Sequence, residues 1–506
     1  MDSVSKPILQ YPDIRNRVAS VFNDKTLFIT GGTGFMGKVL IEKLLRSCTG
    51  IKKIYLLVRE KKGKNPQERV KQMYEGALFG KLREAQGNIA FNKLEAISGD
   101  VTDLNLGISE KDRKKLTEEV EIVYHCAATI RFDVHLKQAI IINVRGTKYM
   151  LDLAKEMKKL KLFVHVSTAY CHLQEKVLYE KSYPPPADPN IMIKLAEWLN
   201  EDIIGSIQDK VLGNYPNTYA YTKALGEGLV DQEIGKLPVT ILRPSVVIPI
   251  WKEPLPGWTD NINGPMGLLI AAGKGVLRTM YCDQDGYADY LPVDILVNGS
   301  IVVTWYYLTQ KPKTYFNFTS SSEYQITNQE IIEIGRRVIA TRMPLNGVAW
   351  YPGGSMKRSR FIHNLCVIFY HYLPAIILDT FIWLSGNKPV LWRVQQRITK
   401  GFEIFEYYAN NQWDFDNTDT LQCRAMLNDL ETKEFKVDGV GIDFDDYFTE
   451  CVHCARLYIL NETDDTIPAA RRHMIIMWAV DKLCKMFLLF LAGYLMLKYV
   501  VFPIFV

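Results

Sequence analysis

A doubly wound, parallel α/β sheet, followed by a mainly helical C-terminal domain and an apolar C-terminal segment, is the fold this sequence predicts, and three observations predict it. The apolar run Leu27-Phe28-Ile29 ends in Thr30-Gly31-Gly32-Thr33-Gly34-Phe35-Met36-Gly37 and passes into a helical stretch from Lys38 to Leu45. From Lys25 to about Val302, short β-branched runs alternate with helical patterns, the order that yields a parallel sheet covered on both faces. From Met356 the character changes to aromatic residues at helical spacing, such as Phe402, Phe405, Tyr408 and Trp413, and the last residues, 486–506, are apolar except for Lys498.

The strands expected in order are Leu27 to Thr30, Ile54 to Val58, Leu94 to Ser98, Ile122 to His125, Phe163 to Ser167 and Val239 to Arg243. A strand that ends in glycines and opens a helix presents bare backbone N–H groups and a positive helix end to a dinucleotide pyrophosphate, and Gly31, Gly34 and Gly37 allow close approach. This is a Rossmann-type signal for a nicotinamide or flavin cofactor, with Thr30, Thr33, Phe35 and Met36 as further loop contacts. The domain division expected is a tail over 1–23, a dinucleotide-binding domain over 24–302, its completion and connection over 303–355, a helical domain over 356–465, and a membrane segment over 486–506. The irregular segment from Pro184-Pro185-Pro186 and the loop from Lys252 to Gly267 are candidates to shape a substrate cleft.

Composition narrows the partners. The chain has 506 residues, with 61 basic against 56 acidic side chains and a formal charge of +5, too small and dispersed for a nucleic-acid partner. Cys451, His453 and Cys454 have no second cluster to complete a metal site, and the cysteines read as reduced thiols in a cytosol-facing protein. The N-terminus lacks the apolar core of a secretory signal. Residues 486–506 are long enough to cross a bilayer, since roughly 20 residues suffice. Arg471, Arg472, Lys482 and Lys485 precede them and favour a cytosolic catalytic part, with Lys498 snorkelling to the far face. A shallow interfacial helix is the alternative. Phe361 to Leu384 is also long enough to span, but carries His363, His371, Pro374 and Asp379, so burial against protein or lying on the membrane surface competes with crossing.

At the end of the second strand, where the adenosine ribose is met, stands Arg59 rather than an acid. A guanidinium offers a fork of donors to a 2′-phosphate, so NADPH is favoured over NADH, with Lys61, Lys62 and Lys64 adding positive charge. The third strand ends in Gly99-Asp100-Val101-Thr102-Asp103, where Asp100 and Val101 can meet the adenine, or where Asp100 or Asp103 can cap a helix. The fourth ends in His125-Cys126-Ala127-Ala128, whose small side chains, Ala127 above all, let backbone approach the cofactor. His125 itself is assigned no chemistry.

Tyr219 and Lys223 lie four residues apart in a helix-compatible stretch, which places them on one face. A phenol titrates near pH ~10, so an adjacent ammonium is needed to bring it towards working pH. Such a pair makes a general acid for a carbonyl oxygen that receives hydride. The fifth strand delivers Ser167-Thr168-Ala169-Tyr170, and Thr168, with Ser167 in reserve, is the hydroxyl expected to hold the same oxygen.

Glycine loop, Arg59, strand-end Ser/Thr, then Tyr and Lys follow the order of the short-chain dehydrogenase/reductases. The chain resembles the extended branch of that superfamily, Asn143 matching its structural asparagine and Arg243-Pro244-Ser245 its strand-end segment, with Pro244 beside the cofactor. His125-Cys126-Ala127-Ala128-Thr129-Ile130-Arg131-Phe132, His165-Val166-Ser167-Thr168-Ala169-Tyr170, Pro256-Gly257-Trp258 and Asn263-Gly264-Pro265 are similar to the alcohol-forming fatty acyl-CoA reductases. Trp413-Asp414-Phe415-Asp416-Asn417 is similar to their C-terminal male-sterility domain. The resemblance, over roughly Asp24 to Glu462, implies reduction of a long-chain acyl-CoA by NADPH to a primary alcohol through a bound aldehyde, with release of CoA. It also implies a lipid membrane as partner, peroxisomal or endoplasmic-reticulum; a homodimer is one candidate assembly that the residues do not decide. Lys252, Lys274 and Arg278 are candidates for the CoA phosphates. The alternatives are a membrane-bound steroid or sterol dehydrogenase and a catalytically silent NADPH-binding scaffold.

Overall fold

The structure, a computed structural model, describes residues 16–261, 264–310 and 312–501. Most of the expected N-terminal tail, Asn263, and the last residues of the 486–506 segment, 502–506, lie outside the described residues.

Seven strands form one parallel sheet: β1 (Thr26–Thr30), β2 (Lys53–Val58), β3 (Leu94–Ser98), β4 (Ile122–His125), β5 (Leu162–Val166), β6 (Val239–Pro244) and β7 (Tyr315–Phe318). Their spatial order is β7-β6-β5-β4-β1-β2-β3. Every residue of β1, β4, β5, β6 and β7 is buried, because helices cover both faces, and this is why these strands read as continuous apolar runs rather than alternating ones. Strand order reverses between β1 and β4, both of which pair in parallel register, and a crevice opens beyond the carboxyl ends at such a switch point.

The six expected strands are all present, with ends moved by a residue or so. The seventh, β7, was not expected. Its four residues, Tyr-Phe-Asn-Phe, are too short to show a period, and it pairs with β6 only through chain far along the sequence.

Three helical elements frame the crevice: α1 (Phe35–Ser47), α2 (Leu136–Ala139 and Gly146–Glu156, joined by the π stretch Ile140–Arg145) and α3 (Thr218–Asp231). A fourth, α4 (Val293–Thr309), is buried along most of its length. The expected boundary at 302 falls inside α4, an apolar helix that gives no sequence signal of a stop there.

The chain divides into two compact units, neither continuous in sequence. The first comprises Met1–Val247, Val293–Ser322 and Asp414–Gly439; the second comprises Ile248–Pro292, Glu323–Trp413 and Val440–Val506. The sequence division was contiguous, and the Asp414 segment shows why the units interleave. Asp414–Phe415 forms a two-residue strand paired with Val177–Leu178 of the first unit. Asn317 on β7 holds it there, its side-chain amide donating to the carbonyls of Leu178 at 3.0 Å and Asp416 at 2.7 Å. The second unit has its own apolar clusters, one around Val338, Ile339, Leu345 and Val452, another around Met266, Ile270, Tyr447 and Cys451. Its long helices are α5 (Arg360–Leu384), α6 (Leu391–Ala409) and α7 (Ile467–Met496).

Candidate active site

The glycine loop forms a backbone cradle. Gly31 has φ +72°, a left-handed conformation open to glycine, and its N-terminal neighbour strand ends where the Gly34 N–H donates to the Gly31 carbonyl at 2.9 Å. A Cβ on Gly31 would meet the backbone of Cys126 and Ala127 at 2.8 Å, so β1 and β4 approach as only glycine permits. A Cβ on Gly37 would collide with the Gly31 carbonyl and lie 2.7 Å from Gly32 Cα. Gly34 is the N-cap of α1 and offers no side chain of its own to the first N–H groups of the helix. Thr30 ties the cradle to β4: its hydroxyl is 2.8 Å from His125 Nδ1 and accepts from the Ala127 N–H at 3.2 Å. His125 Nε2 reaches the Thr147 hydroxyl at 3.1 Å, and burial first, then the Lys223 charge, lower its pKa to about 3. It is a neutral strut between β1, β4 and α2.

At the far end of the cradle, Arg59 is exposed and its guanidinium pairs with Asp100 at 3.2 Å. Asp100 also accepts from the Thr102 N–H at 3.0 Å, an Asx turn rather than a helix cap, and Val101 packs 3.0 Å from where a Cβ on Gly146 would stand. The sequence reading missed Arg69. It donates to the Arg59 carbonyl at 2.6 Å and to the Thr33 hydroxyl at 3.3 Å, so a second guanidinium joins the glycine loop to Arg59. Burial and then the neighbouring Arg59 charge lower its pKa, the signature of a cation held beside another cation. An arginine 10 residues beyond Arg59 in an exposed helix carries no period of its own to reveal this.

The candidate catalytic residues lie beyond the end of β5 and on α3. Asn217 caps α3, accepting from the Ala220 N–H at 2.9 Å, and so fixes where the helix begins and which face carries Tyr219 and Lys223. Lys223 is 5% exposed and donates to the Val166 carbonyl at 2.6 Å; burial lowers its pKa to about 8. Tyr219 keeps some exposure, but its hydroxyl lies deep enough that burial raises its pKa to about 12, with a hydrogen bond from Thr168 acting to lower it. Phe132 stacks beside its ring at 5.4 Å. Thr168 is thus the hydroxyl brought to Tyr219. Ser167 instead points to Cys171 Sγ at 3.8 Å. Pro244 contributes its carbonyl, which accepts from the Ala169 N–H at 2.8 Å and fixes the loop after β5. Asn143, on the π stretch of α2, holds the loop after β4 by accepting from the Thr129 N–H at 2.8 Å, and donates to Thr222 on α3 at 2.9 Å.

Behind these residues is a second group that the sequence did not disclose. Glu227, one helical turn beyond Lys223, receives the Arg243 guanidinium, with Nε 3.1 Å from each carboxylate oxygen, and His172 Nε2 at 3.3 Å. Burial works against the Glu227 carboxylate, but the Arg243 charge and His172 hold its pKa far below the ordinary range. His172 is raised to about 10, Cys171 and Glu227 outweighing burial. Cys171, His172 and Glu227 sit within metal-ligand reach of one another, but Arg243 already neutralises the carboxylate, so the cluster is an ion-pair network. Near Cys451, Cys454 Sγ donates to the Pro256 carbonyl at 3.1 Å and His453 pairs with Asp464 at 2.9 Å.

Two family models, both described as male sterility protein, match residues 29–300 and 370–462, the first of them an NAD-binding model. Fatty acyl-CoA reductase 1 of Xenopus laevis is 40% identical over 90% of this chain and 89% of its own length, and fatty acyl-CoA reductase 2 of Mus musculus is 38% identical over the same shares. This chain belongs to the fatty acyl-CoA reductase family. The reductase domain of a Mycobacterium tuberculosis non-ribosomal peptide synthetase shares the fold at 17% identity, with a TM-score of 0.57 over 88% of this chain and 96% of that one. The cofactor of this reductase is therefore a nicotinamide dinucleotide, and the cradle of Gly31, Gly34 and Gly37 fits one. Of the cations expected for CoA phosphates, Lys274 pairs with Glu462 at 2.5 Å, Arg278 with Asp481 at 3.6 Å, and Lys252 lies over the Trp251 ring at 4.2 Å.

Proposed function

We propose that this reductase converts a long-chain fatty acyl-CoA to the primary alcohol with NADPH as reductant, through an aldehyde that stays bound. The observation that supports the choice of NADPH is the pair Arg59 and Arg69, two guanidinium groups joined through a backbone carbonyl just beyond the end of β2, the strand end at which a dinucleotide fold meets the adenosine ribose. Two forks of donors suit a phosphate, whereas a 2′-hydroxyl asks for an acceptor. Asp100 pairs with Arg59 and is positioned, with Val101, to meet the adenine.

Held by the glycine cradle, Arg59 and Arg69, NADPH would supply the hydride for each of the two reductions, one molecule for the thioester and a second for the aldehyde. The chain's own residues govern the oxygen. Thr168 and Tyr219 donate hydrogen bonds to it as negative charge develops, in a site where burial magnifies the effect. Collapse of the tetrahedral adduct expels the CoA thiolate, a good leaving group because a simple thiol has a pKa of ~8.5. In the second reduction Tyr219 gives its proton to the alkoxide. Tyr219 stands near 12 in the ligand-free chain, so it is protonated at neutral pH and ready to donate. Lys223 holds the ribose and, once it leaves the Val166 carbonyl, supplies positive charge beside the phenol. The buried network of Glu227, Arg243 and His172 fixes the α3 face that carries both. Association with a lipid membrane belongs to the same reading, because α5 is long and apolar enough to cross one and the substrate's acyl tail partitions into lipid; a cytosolic catalytic unit and a peroxisomal or endoplasmic-reticulum address complete it.

The test is product identification with membranes carrying the full chain, palmitoyl-CoA, and either NADPH or NADH. Hexadecanol formed with NADPH in strong preference to NADH is expected. A sterol product, or equal rates with both cofactors, would contradict the proposal.

A further inference from the structure

We propose that α5 does not cross the membrane but lies in one leaflet as half of a hairpin with α6, a monotopic contact with lipid. The inference rests on the membrane association above and refines it. In α5 three polar residues, His363, His371 and Asp379, are 8%, 1% and 7% exposed, and each is bound within the second unit. His363 Nδ1 is 3.2 Å from the Thr279 hydroxyl, and His371 Nε2 accepts from the Arg278 N–H at 2.9 Å. Asp379 receives the N–H groups of Val390, Leu391 and Trp392 at 3.0, 2.9 and 2.8 Å, which caps the start of α6 and closes the hairpin. Residues eight apart at ~100° each would stand about 80° out of line in a straight α-helix. The π stretch Ile368–Tyr372 takes up the offset and keeps His363 and His371 on one face.

The opposite face is apolar and uncovered: Phe361, Phe369, Ile376, Phe381 and Trp383 are 72%, 59%, 52%, 65% and 64% exposed. A helix tied to Thr279 and Arg278 through His363 and His371, and to the start of α6 through Asp379, cannot also thread a bilayer, and freeing it would place two imidazoles and a carboxylate in hydrocarbon without partners. Apolar on one side and protein-bound on the other, it suits a position within a single leaflet. The turn and α6 add exposed cations, Lys388, Arg393, Arg397 and Lys400, whose charge matches an anionic cytosolic leaflet. α7 is tied down in the same way through Asp481, which pairs with Arg278 and accepts from Trp350 Nε1 at 2.6 Å, so its apolar end beyond 486 is the part left for crossing.

The experiment uses the full chain in sealed microsomes, in a background carrying Cys366→Ser and Cys484→Ser, with either Ser385→Cys in the turn or Phe369→Cys on the apolar face. A membrane-impermeant maleimide is expected to label the turn position fully without detergent, above the level of the parent chain. A fluorophore at position 369 is expected to be quenched by lipid-borne quenchers and little by iodide. Labelling of the turn only after permeabilisation would overturn the proposal in favour of a span. A position-369 probe silent to lipid quenchers, with position-369 cysteines cross-linking between chains, would instead assign this face to a second copy. A chain that washes off the membranes in carbonate while retaining acyl-CoA reduction would overturn membrane insertion itself, leaving the enzymatic reading intact.

Discussion

The nucleotide end and the catalytic end of the crevice are built by opposite means. Around β1 to β3 the work is done by backbone and by solvated charge: glycines that admit no Cβ, a helix N-terminus whose cap residue has no side chain, and the exposed Arg59. Around β5 and β6 it is done by charge taken out of water: Lys223, Glu227 and Arg243 are all nearly inaccessible and satisfied by one another or by carbonyls. Exposed ion pairs contribute little to stability, whereas removing one partner of a buried pair leaves an uncompensated charge. The same kind of substitution should therefore register as stability at one end and as cofactor affinity at the other.

Glu227→Gln tests the buried end and has the largest expected effect, a loss of about 3–5 kcal/mol in unfolding free energy, because Arg243 and His172 lose their counter-ion. Its pH dependence has a definite sign. The folded carboxyl is depressed, so its contribution is present above the ordinary value of 4.5 and is lost as pH falls towards the folded value. Denaturation of wild type and variant should show a deficit that is full between the ordinary carboxyl and imidazole values, shrinks in acid, and shrinks again as pH rises towards about 10, where His172 gives up its proton; a pH-independent deficit would count against the ion pair as its source.

Arg59→Ala combined with Arg69→Ala tests the exposed end. The double variant should raise KM for NADPH by roughly 10- to 100-fold, the worth of one to two charged hydrogen bonds, while KM for NADH and the melting temperature stay nearly unchanged. A parallel rise for both cofactors would remove the arginines from 2′-phosphate recognition. Of smaller size is the alkaline limb of kcat/KM. Lys223 has a folded value of about 8, lowered by burial, so activity should fall as pH rises through that value, and Lys223→Arg, if active, should shift the limb upward. The smallest effect, a change of a few-fold in kcat with unchanged cofactor affinity, is expected for Phe132→Leu, which loosens the ring packed on Tyr219.

What could be read from the sequence follows the same divide. The glycine loop was legible because close backbone approach demands glycine and a strand-to-helix junction shows in the pattern. Tyr219 and Lys223 were legible because four residues make a helical turn, and Thr168 because it follows directly on the end of a strand. Arg69, Glu227 and His172 were not, since their roles arise from side chains that meet only after folding, 10 to 55 residues apart in sequence for the pairs concerned. β7 was hidden for the same reason. The Asp414 segment, assigned by sequence to a helical region, forms a strand because Asn317 offers it hydrogen bonds from the other end of a long insertion. Contiguous reading cannot see an element completed by a distant stretch.

The account rests on a phenol that protonates the substrate oxygen, and Tyr219→Phe in the full chain tests it most directly. Measured side by side, NADPH binding should match wild type while alcohol formation from palmitoyl-CoA falls by about 10²–10⁴-fold, the usual contribution of a positioned general acid. Turnover within a few-fold of wild type, with cofactor binding intact, would contradict it.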